Sequence, residues 1–269
     1  MKIITLNNFN LNQIAESGQC FRFKKIADNK YSVVAFNKYL EAEDLGNNTF
    51  SFSCSEKEWD SLWAHYFDLE TNYAYIEQAI MSSNDAHLKE SFLEGSGIRI
   101  LNQDLFEIIV SFLISQNNNI KRIKRSIELI SEKAGVKVPG CENLYAFPKP
   151  SEVTKDFFDD DTLGLGYRNI YLQEFYEFIR NNPDWLCKLK KLSYQDAKEE
   201  LLRLKGIGPK VADCVCLFGL HHIDAFPIDT HVKQLLNKYY KEGFNNESFK
   251  GFRGILQQYL FFYELNHSK

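Results

Sequence analysis

No stretch of this 269-residue chain approaches the roughly 20 uninterrupted apolar residues that a membrane span needs. The opening Met1-Lys2-Ile3-Ile4-Thr5-Leu6-Asn7 also lacks an apolar run long enough for a secretory signal. A cytoplasmic protein with no membrane partner is expected. Paired cysteine spacing is missing too. Cys20, Cys54, Cys141, Cys187, Cys214 and Cys216 are scattered, and Cys214-Val215-Cys216 has neither zinc-finger nor thioredoxin spacing. Reduced thiols are expected, with no metal and no iron–sulfur cluster. Low-complexity linkers and internal repeats are absent as well, which excludes repeat architectures and lobes swinging on a tether.

An excess of basic charge is the last absence: 32 Lys and Arg stand against 36 Asp and Glu, a formal net charge of -4. A nucleic-acid partner normally leaves a basic footprint, so the total argues mildly against one. The distribution argues the other way. Lys121, Arg122, Lys124 and Arg125 follow Asn117 with no acid among them, while acids gather at Asp156 and Asp159-Asp160-Asp161. One basic face on an acidic body fits both facts.

What is present is an ordinary globular balance, 44% hydrophobic and 25% charged, in a length that suits more than one lobe. Residues 19 to 54 alternate apolar and polar in short runs: Phe21 and Phe23, then Tyr31, Val33 and Ala35, then Phe50 and Phe52. Asp28-Asn29-Lys30, Asn37-Lys38 and Gly46-Asn47-Asn48 punctuate them, the pattern of an antiparallel meander with one buried face. After the capping-box-like Ser55-Glu56-Lys57-Glu58 the period turns helical, with Trp59, Leu62, Trp63, Tyr66 and Phe67 on one face. Downstream helices are predicted at about 103–115, 119–133, 195–204, 210–220, 229–241 and 246–265. The predicted class is α+β: an N-terminal antiparallel β-sheet lobe over residues 1–90, then a mainly helical region over 91–269.

The most informative stretch is Leu201-Leu202-Arg203-Leu204-Lys205-Gly206-Ile207-Gly208-Pro209-Lys210-Val211-Ala212-Asp213-Cys214, which spells helix, tight turn, helix. Gly206 and Gly208 permit positive φ and close approach by another backbone, Ile207 can plug between the helices, and Pro209 suits a first helical turn. Such a turn aims free backbone N–H groups and a helix dipole at one point, where a phosphate can sit. Gly-Ile-Gly alone would equally suit an ordinary helical hairpin. Lys210 opens the second helix, where the dipole repels an ammonium. A partly desolvated lysine there loses its proton more readily, which Schiff-base chemistry needs. Nineteen residues on, Phe226-Pro227-Ile228-Asp229-Thr230-His231-Val232 sets an acid at a helix start, where Asp229 also reads as a plain N-cap.

Leu201, Leu204, Val211, Ala212 and Val215 around the turn resemble the helix-hairpin-helix of DNA repair proteins. With Lys210 and Asp229 the pattern resembles the superfamily of base-excision glycosylases that joins this hairpin, over about 195–220, to a Gly/Pro-rich loop and an aspartate. Three further segments narrow the resemblance to eukaryotic-type 8-oxoguanine DNA glycosylase/lyases. Ser17-Gly18-Gln19-Cys20-Phe21-Arg22-Phe23 is similar to that family's Ser-Gly-Gln-Ser-Phe-Arg-Trp, departing at Cys20 and Phe23. Ser115-Gln116-Asn117-Asn118-Asn119-Ile120-Lys121-Arg122 and Leu163-Gly164-Leu165-Gly166-Tyr167-Arg168 resemble its two loop segments.

The resemblance implies the following roles. The N-terminal lobe would be like that of TATA-binding protein. Lys210 would attack C1′ of the flipped nucleotide while Asp229 stabilises positive charge on the sugar. A Gly18 carbonyl would accept from the N7 hydrogen that 8-oxoguanine has and guanine lacks, a contrast worth roughly 1 to 3 kcal/mol. Phe261 and Cys214 would sandwich the base, and Gln257 would bond its Watson–Crick edge. Asn117 would fill the vacated space, Tyr167 would wedge into the stack, and Arg122 and Arg168 would read the orphan cytosine, offsetting the few kcal/mol that extrusion costs. Gly206, Gly208 and Val211 would contact the DNA backbone, and His231 would be either a phosphate contact or a satisfied core histidine. The partner would be double-stranded DNA containing 8-oxoguanine, bound by a monomer that associates with the nucleoid, with no cofactor.

Isolated residues keep blander readings. Gly18 suits a turn, the asparagines suit helix caps, Tyr167-Arg168 suits an ordinary surface pair, and Phe261 and Gln257 suit a packed apolar helix. Three rival functions also remain. An alkylated-base glycosylase would lack Lys210. The endonuclease III and adenine-glycosylase branch usually carries a four-cysteine cluster after the hairpin, and no cysteine follows Cys216. A non-catalytic DNA-binding module would have no use for Lys210 and Asp229 together.

Overall fold

The computed structural model describes residues 1–241, 243–245 and 247–267. Its first lobe is a five-stranded antiparallel sheet in the order β1-β5-β4-β3-β2, made of β1 (Lys2–Thr5), β2 (Phe23–Ala27), β3 (Lys30–Ala35), β4 (Lys38–Gly46) and β5 (Thr49–Phe52). The tight turns follow from local chemistry. Phe36-Asn37 joins β3 to β4 and Asn47-Asn48 joins β4 to β5, each with both residues at positive φ, the twist that suits a two-residue hairpin. The first of these turns sits one residue earlier than Asn37-Lys38, because Lys38 already pairs with Ala35. Strand β1 was not anticipated. Four residues carry too little periodicity to announce a strand, and Lys2–Thr5 is held only by pairing with Thr49–Phe52 on the far edge.

One face of the sheet is apolar. Phe23, Val33, Leu40, Ala42 and Phe52 are fully buried on it. It packs on helix α1 (Leu11–Glu16) and on the Trp59–Phe67 segment, with the Phe52 ring 4.4 Å from Trp59 and Phe9 4.9 Å from Phe50. Ser55 caps the turn α2 (Glu56–Glu58) by accepting from Glu58 N, as the sequence suggests. Glu58 itself does not close the reciprocal half of a capping box. Its carboxylate accepts from the Trp63 indole at 3.1 Å, holding the wider helical turn Trp59–Trp63 that leads into α3 (Ala64–Tyr66).

The rest is helical, and the α+β reading holds. Helices α4 (Tyr73–Ser82), α5 (Ala86–Gly95), α6 (Leu105–Ser115), α7 (Ile120–Ala134), α8 (Asn169–Asn181), α9 (Trp185–Leu189), α10 (Tyr194–Leu202), α11 (Pro209–Phe218), α12 (Thr230–Tyr239) and α13 (Arg253–His267) share a second core. Within α6, Leu105, Phe106 and every residue from Ile108 to Ile114 are buried, so the helix runs through the middle of this region against α7, α8 and α11. The predicted helix at 246–265 starts later. Gly251 at φ +102 breaks the chain after a short turn at Glu247–Phe249, and residue 246 lies outside the described residues.

Two buried polar side chains stitch the cores together. Arg99 donates to the carbonyls of Asn7, Asn8 and Asp68 and lies 4.5 Å over the Tyr73 ring. Gln19 accepts from Leu101 N at 2.8 Å and donates to Arg99 O and Ser17 Oγ, each at 2.9 Å. Buried amides satisfied this fully specify one register between segments far apart in sequence. The Ser17–Cys20 turn is thereby fixed against the helical region.

Candidate active site

The hairpin is α10, a turn, and α11. Ser193 caps α10, Leu201 and Ile207 are buried, and Pro209 takes the first position of α11. The two glycines play different parts. Gly206 has φ +83, and a Cβ there would fall 2.6 Å from the Tyr171 ring, so both conformation and space demand glycine. Gly208, expected to share that conformation, is instead the extended N-cap at φ -90, with no atom within 4 Å of where a Cβ would stand. Its importance is the open space beside it. No side chain caps α11, so its first-turn amides face that space at the positive end of the helix. Val211 is buried, so only its backbone N–H is available to a ligand.

Lys210 is the second residue of α11. Its Nζ stands 5.1 Å over the Phe112 ring, an aromatic floor supplied by α6. Cys214 lies one turn further along α11 and is buried. Burial pushes its thiol up to about 11, against the pull of the neighbouring Lys210 charge and hydrogen bond. Cys214 is therefore a neutral thiol at physiological pH, an apolar surface and no rival nucleophile. Asp229 is the N-cap of α12, its Oδ1 accepting from Val232 N at 2.8 Å. The cap bond fixes the carboxylate, and the same side chain lines the pocket that holds Lys210.

That pocket, narrow and partly open, is lined by Gly18, Phe112, Lys210, Cys214, Phe218, Pro227, Asp229, Gln257, Gln258 and Phe261. The structure thus brings together Lys210, Asp229, Gly18, Cys214, Gln257 and Phe261, which sequence alone spreads from one end of the chain to the other. Gly18 has φ +75 and lies against the edge of Phe261, whose Cε1 would be 3.1 Å from an added Cβ. Gln257 is buried and accepts from Gln258 Nε2 at 3.1 Å. His231 meets Phe261 edge-on with ring centroids 6.2 Å apart, and its Nδ1 is buried without a partner among the described residues.

Phe112, Phe218, Pro227 and Gln258 were missed from sequence. Phe112 and Phe218 stack with centroids 5.5 Å apart, but each reads as one more core residue on an apolar helix. Pro227 sits two residues before Asp229, a placement that could have flagged it.

Asn117, Arg122, Tyr167 and Arg168 do not line the pocket. They lie around two adjoining loops. Asn117 is exposed at φ +47, and Tyr167 is 51% exposed. Arg168 is buried. Its Nε donates 2.7 Å to Gln116 O, Nη1 3.0 Å to Leu165 O and Nη2 2.8 Å to Asn117 O, with a further bond from Nη2 to Gln116 O. The guanidinium therefore braces the Asn117 loop and also lies 4.5 Å over the Tyr167 ring. Tyr167 in turn meets Tyr171 edge-on at 5.9 Å, and Tyr171 covers Gly206. Tyr171, also unforeseen, links this loop to the hairpin. Arg122 is exposed near the start of α7, its backbone N–H donated to the cap Asn119.

Among the described residues no group of three or more His, Cys, Asp or Glu side chains is placed to hold a metal ion, and no helix is long and apolar enough to cross a membrane.

Comparison with known proteins places the chain in a family. Residues 2–109 match the family model for the N-terminal domain of 8-oxoguanine DNA glycosylase. An N-glycosylase/DNA lyase of Saccharomyces cerevisiae is 31% identical over 248 residues, covering 83% of this chain and 63% of the yeast protein, so the chain spans under two thirds of that relative's length. A probable N-glycosylase/DNA lyase of Methanothermobacter thermautotrophicus is 30% identical over 230 residues, covering 76% of this chain and 71% of its own. The crystal structure of Clostridium acetobutylicum 8-oxoguanine glycosylase/lyase, bound to double-stranded DNA with cytosine opposite 8-oxoguanine, superposes with a TM-score of 0.89 at 36% identity over 98% of this chain and 94% of that one. By sequence and fold, the chain belongs to the 8-oxoguanine DNA glycosylase/lyase family.

Proposed function

We propose that this protein removes 8-oxoguanine from duplex DNA, with cytosine as the preferred opposite base, and then cleaves the strand at the resulting site. The observation that carries the reading is the convergence of an amine and a carboxylate, Lys210 and Asp229, on one pocket whose walls are the Gly18 backbone, Cys214 and the Phe261 ring.

Phosphate beside the lesion sits on the open side of Gly208 and on the uncapped amides of α11, including that of Val211, with His231 beside it. The extruded base lies between Cys214 and Phe261, with its N7 hydrogen donated to Gly18 O and its edge facing Gln257. Asn117 and Tyr167 occupy the gap in the stack. Arg122 reads the orphan cytosine, as does Arg168 once it leaves the loop carbonyls it braces. Lys210, as the free amine, forms a bond to C1′ while the bond from C1′ to the base nitrogen breaks, and the base departs with that electron pair and takes up a proton. Asp229 stabilises the positive charge that builds on the sugar. Loss of a proton from nitrogen and opening of the ring give an imine at C1′. Removal of a C2′ proton then expels the 3′ phosphate, and water releases Lys210. We further infer that the chain acts as a monomer on cytoplasmic, nucleoid DNA.

The deciding experiment is borohydride trapping on duplex DNA containing 8-oxoguanine opposite cytosine, with wild type and Lys210→Gln in parallel. A covalent protein–DNA adduct in wild type alone is expected. No adduct and no released base would leave another lesion, or a binding role, as the function.

A further inference from the structure

Gly18 O accepts no hydrogen bond from the described residues, so nothing holds directly the carbonyl proposed above to meet the lesion. Its two neighbours are held firmly. Ser17 is fully buried, with N and Oγ both donating to Ile14 O. Gln19 is fully buried as well, and its side chain commits both halves of its amide to Leu101 N, Arg99 O and Ser17 Oγ. A fourth bond reaches its backbone: Gln103 Nε2 donates to Gln19 O at 2.9 Å. Backbone partners settle which half of each amide faces them, since a carbonyl only accepts and an N–H only donates. Gln103 is itself anchored, because the next residue, Asp104, caps α6, the helix that brings Phe112 to the pocket.

We propose that Gln103 is a positioning residue: by holding Gln19 O it sets the direction of the Gly18 carbonyl, and with it the preference for a base that carries a hydrogen on N7. The proposal rests on the glycosylase reading above. A peptide plane between two fixed Cα atoms keeps one soft motion, a turn about the line joining them. At Gly18, φ +75 and the missing Cβ leave that turn nearly unopposed. The restraint comes from Gln19. Its side-chain bonds fix the direction of Cβ, Gln103 fixes the direction of the carbonyl carbon, and the handedness of Cα then leaves one place for its nitrogen. That nitrogen and the two Cα atoms define the plane in which Gly18 O lies. Without Gln103 the Gln19 carbonyl can swing about the Cα–Cβ bond, and the Gly18 carbonyl swings with it. Guanine, whose N7 is an acceptor, is refused only while the Gly18 acceptor points at it.

The test uses the full chain with Gln103→Met and Gln103→Leu, two side chains of different shape that both lack the donor. In a Lys210→Gln background, which binds without reacting, each is assayed for affinity to duplexes carrying 8-oxoguanine or guanine opposite cytosine. With Lys210 intact, single-turnover cleavage of an abasic duplex and the melting temperature are measured alongside. The preference for 8-oxoguanine over guanine is expected to fall by about tenfold in both variants. Abasic-strand cleavage, which needs no base in the pocket, is expected to fall far less. Either variant carries the test if the other does not fold. An unchanged preference in a folded variant, or a loss of preference matched by an equal loss of abasic cleavage, would overturn the proposal. Equal binding of the two duplexes by Lys210→Gln with Gln103 in place would instead overturn the 8-oxoguanine reading, and this inference with it.

Discussion

The Phe261 ring edge lies 3.1 Å from the point where a Cβ on Gly18 would stand, so residues near the two ends of the chain form adjoining walls of one pocket. Gly18 is also held at φ +75, a left-handed backbone that costs a substituted L residue about 1–2 kcal/mol. Gly18→Ala is therefore expected to fold with slightly reduced stability and to push Phe261 into the space a base would need. Excision of 8-oxoguanine should drop by about tenfold or more, while cleavage of a preformed abasic site persists. Equal loss of both activities would show that Gly18 serves the fold and not the base.

Asp229 is both cap and candidate catalyst, and two substitutions separate the parts. Asparagine caps as well as aspartate, so Asp229→Asn should keep the bond to Val232 N and the melting temperature while slowing base release by about 10²–10³-fold. Asp229→Ala should show the same kinetic defect and lose about 1 kcal/mol of stability as well. A fast asparagine variant would remove Asp229 from the chemistry.

Arg168 braces the carbonyls of Gln116, Asn117 and Leu165. Replacing it with methionine keeps the bulk but leaves those acceptors short of donors, and urea unfolding should show a loss of about 2–4 kcal/mol. Amide exchange should quicken at Asn117 and Asn118 before it does in α6. Unaltered exchange there would mean that Asn119, Gln116 and Tyr167 hold the loop without Arg168.

Glu107 predicts a pH dependence of stability. It faces a small cavity with Cys20, Val34, Ala35, Tyr66 and Asp104, and burial raises its carboxyl to about 7, with Arg22 pulling it down and Asp104 and Glu128 pushing it up. The folded protein therefore holds a proton that the unfolded chain releases near pH 4.5, so stability falls as pH climbs from about 4.5 to about 7 and levels off above. Glu107→Gln should match wild type near pH 4.5 and exceed it by about 3 kcal/mol at pH 8. Parallel stability curves for the two proteins would contradict this environment for Glu107.

The sequence by itself determined the features that depend on neighbours along the chain. Asn37, Asn47 and Asn48 turn the strands because asparagine accepts positive φ cheaply, Ser55 and Asp229 cap because their oxygens reach the amide three residues on, and Gly206-Ile207-Gly208-Pro209-Lys210 makes the hairpin and places its lysine on the first turn of α11. Tertiary structure alone decided the rest. Strand β1 exists because β5 offers it an edge, Phe112 becomes the floor under Lys210 because α6 passes beneath α11, and Arg168 turns inward because two loops present their carbonyls to it. Gln19 and Gln258 reveal their partners only once segments meet or a pocket forms around them. Periodicity, capping and turn chemistry are written within a few residues, whereas a pocket is a contact between segments hundreds of residues apart, and its shape belongs to the packing of the whole chain.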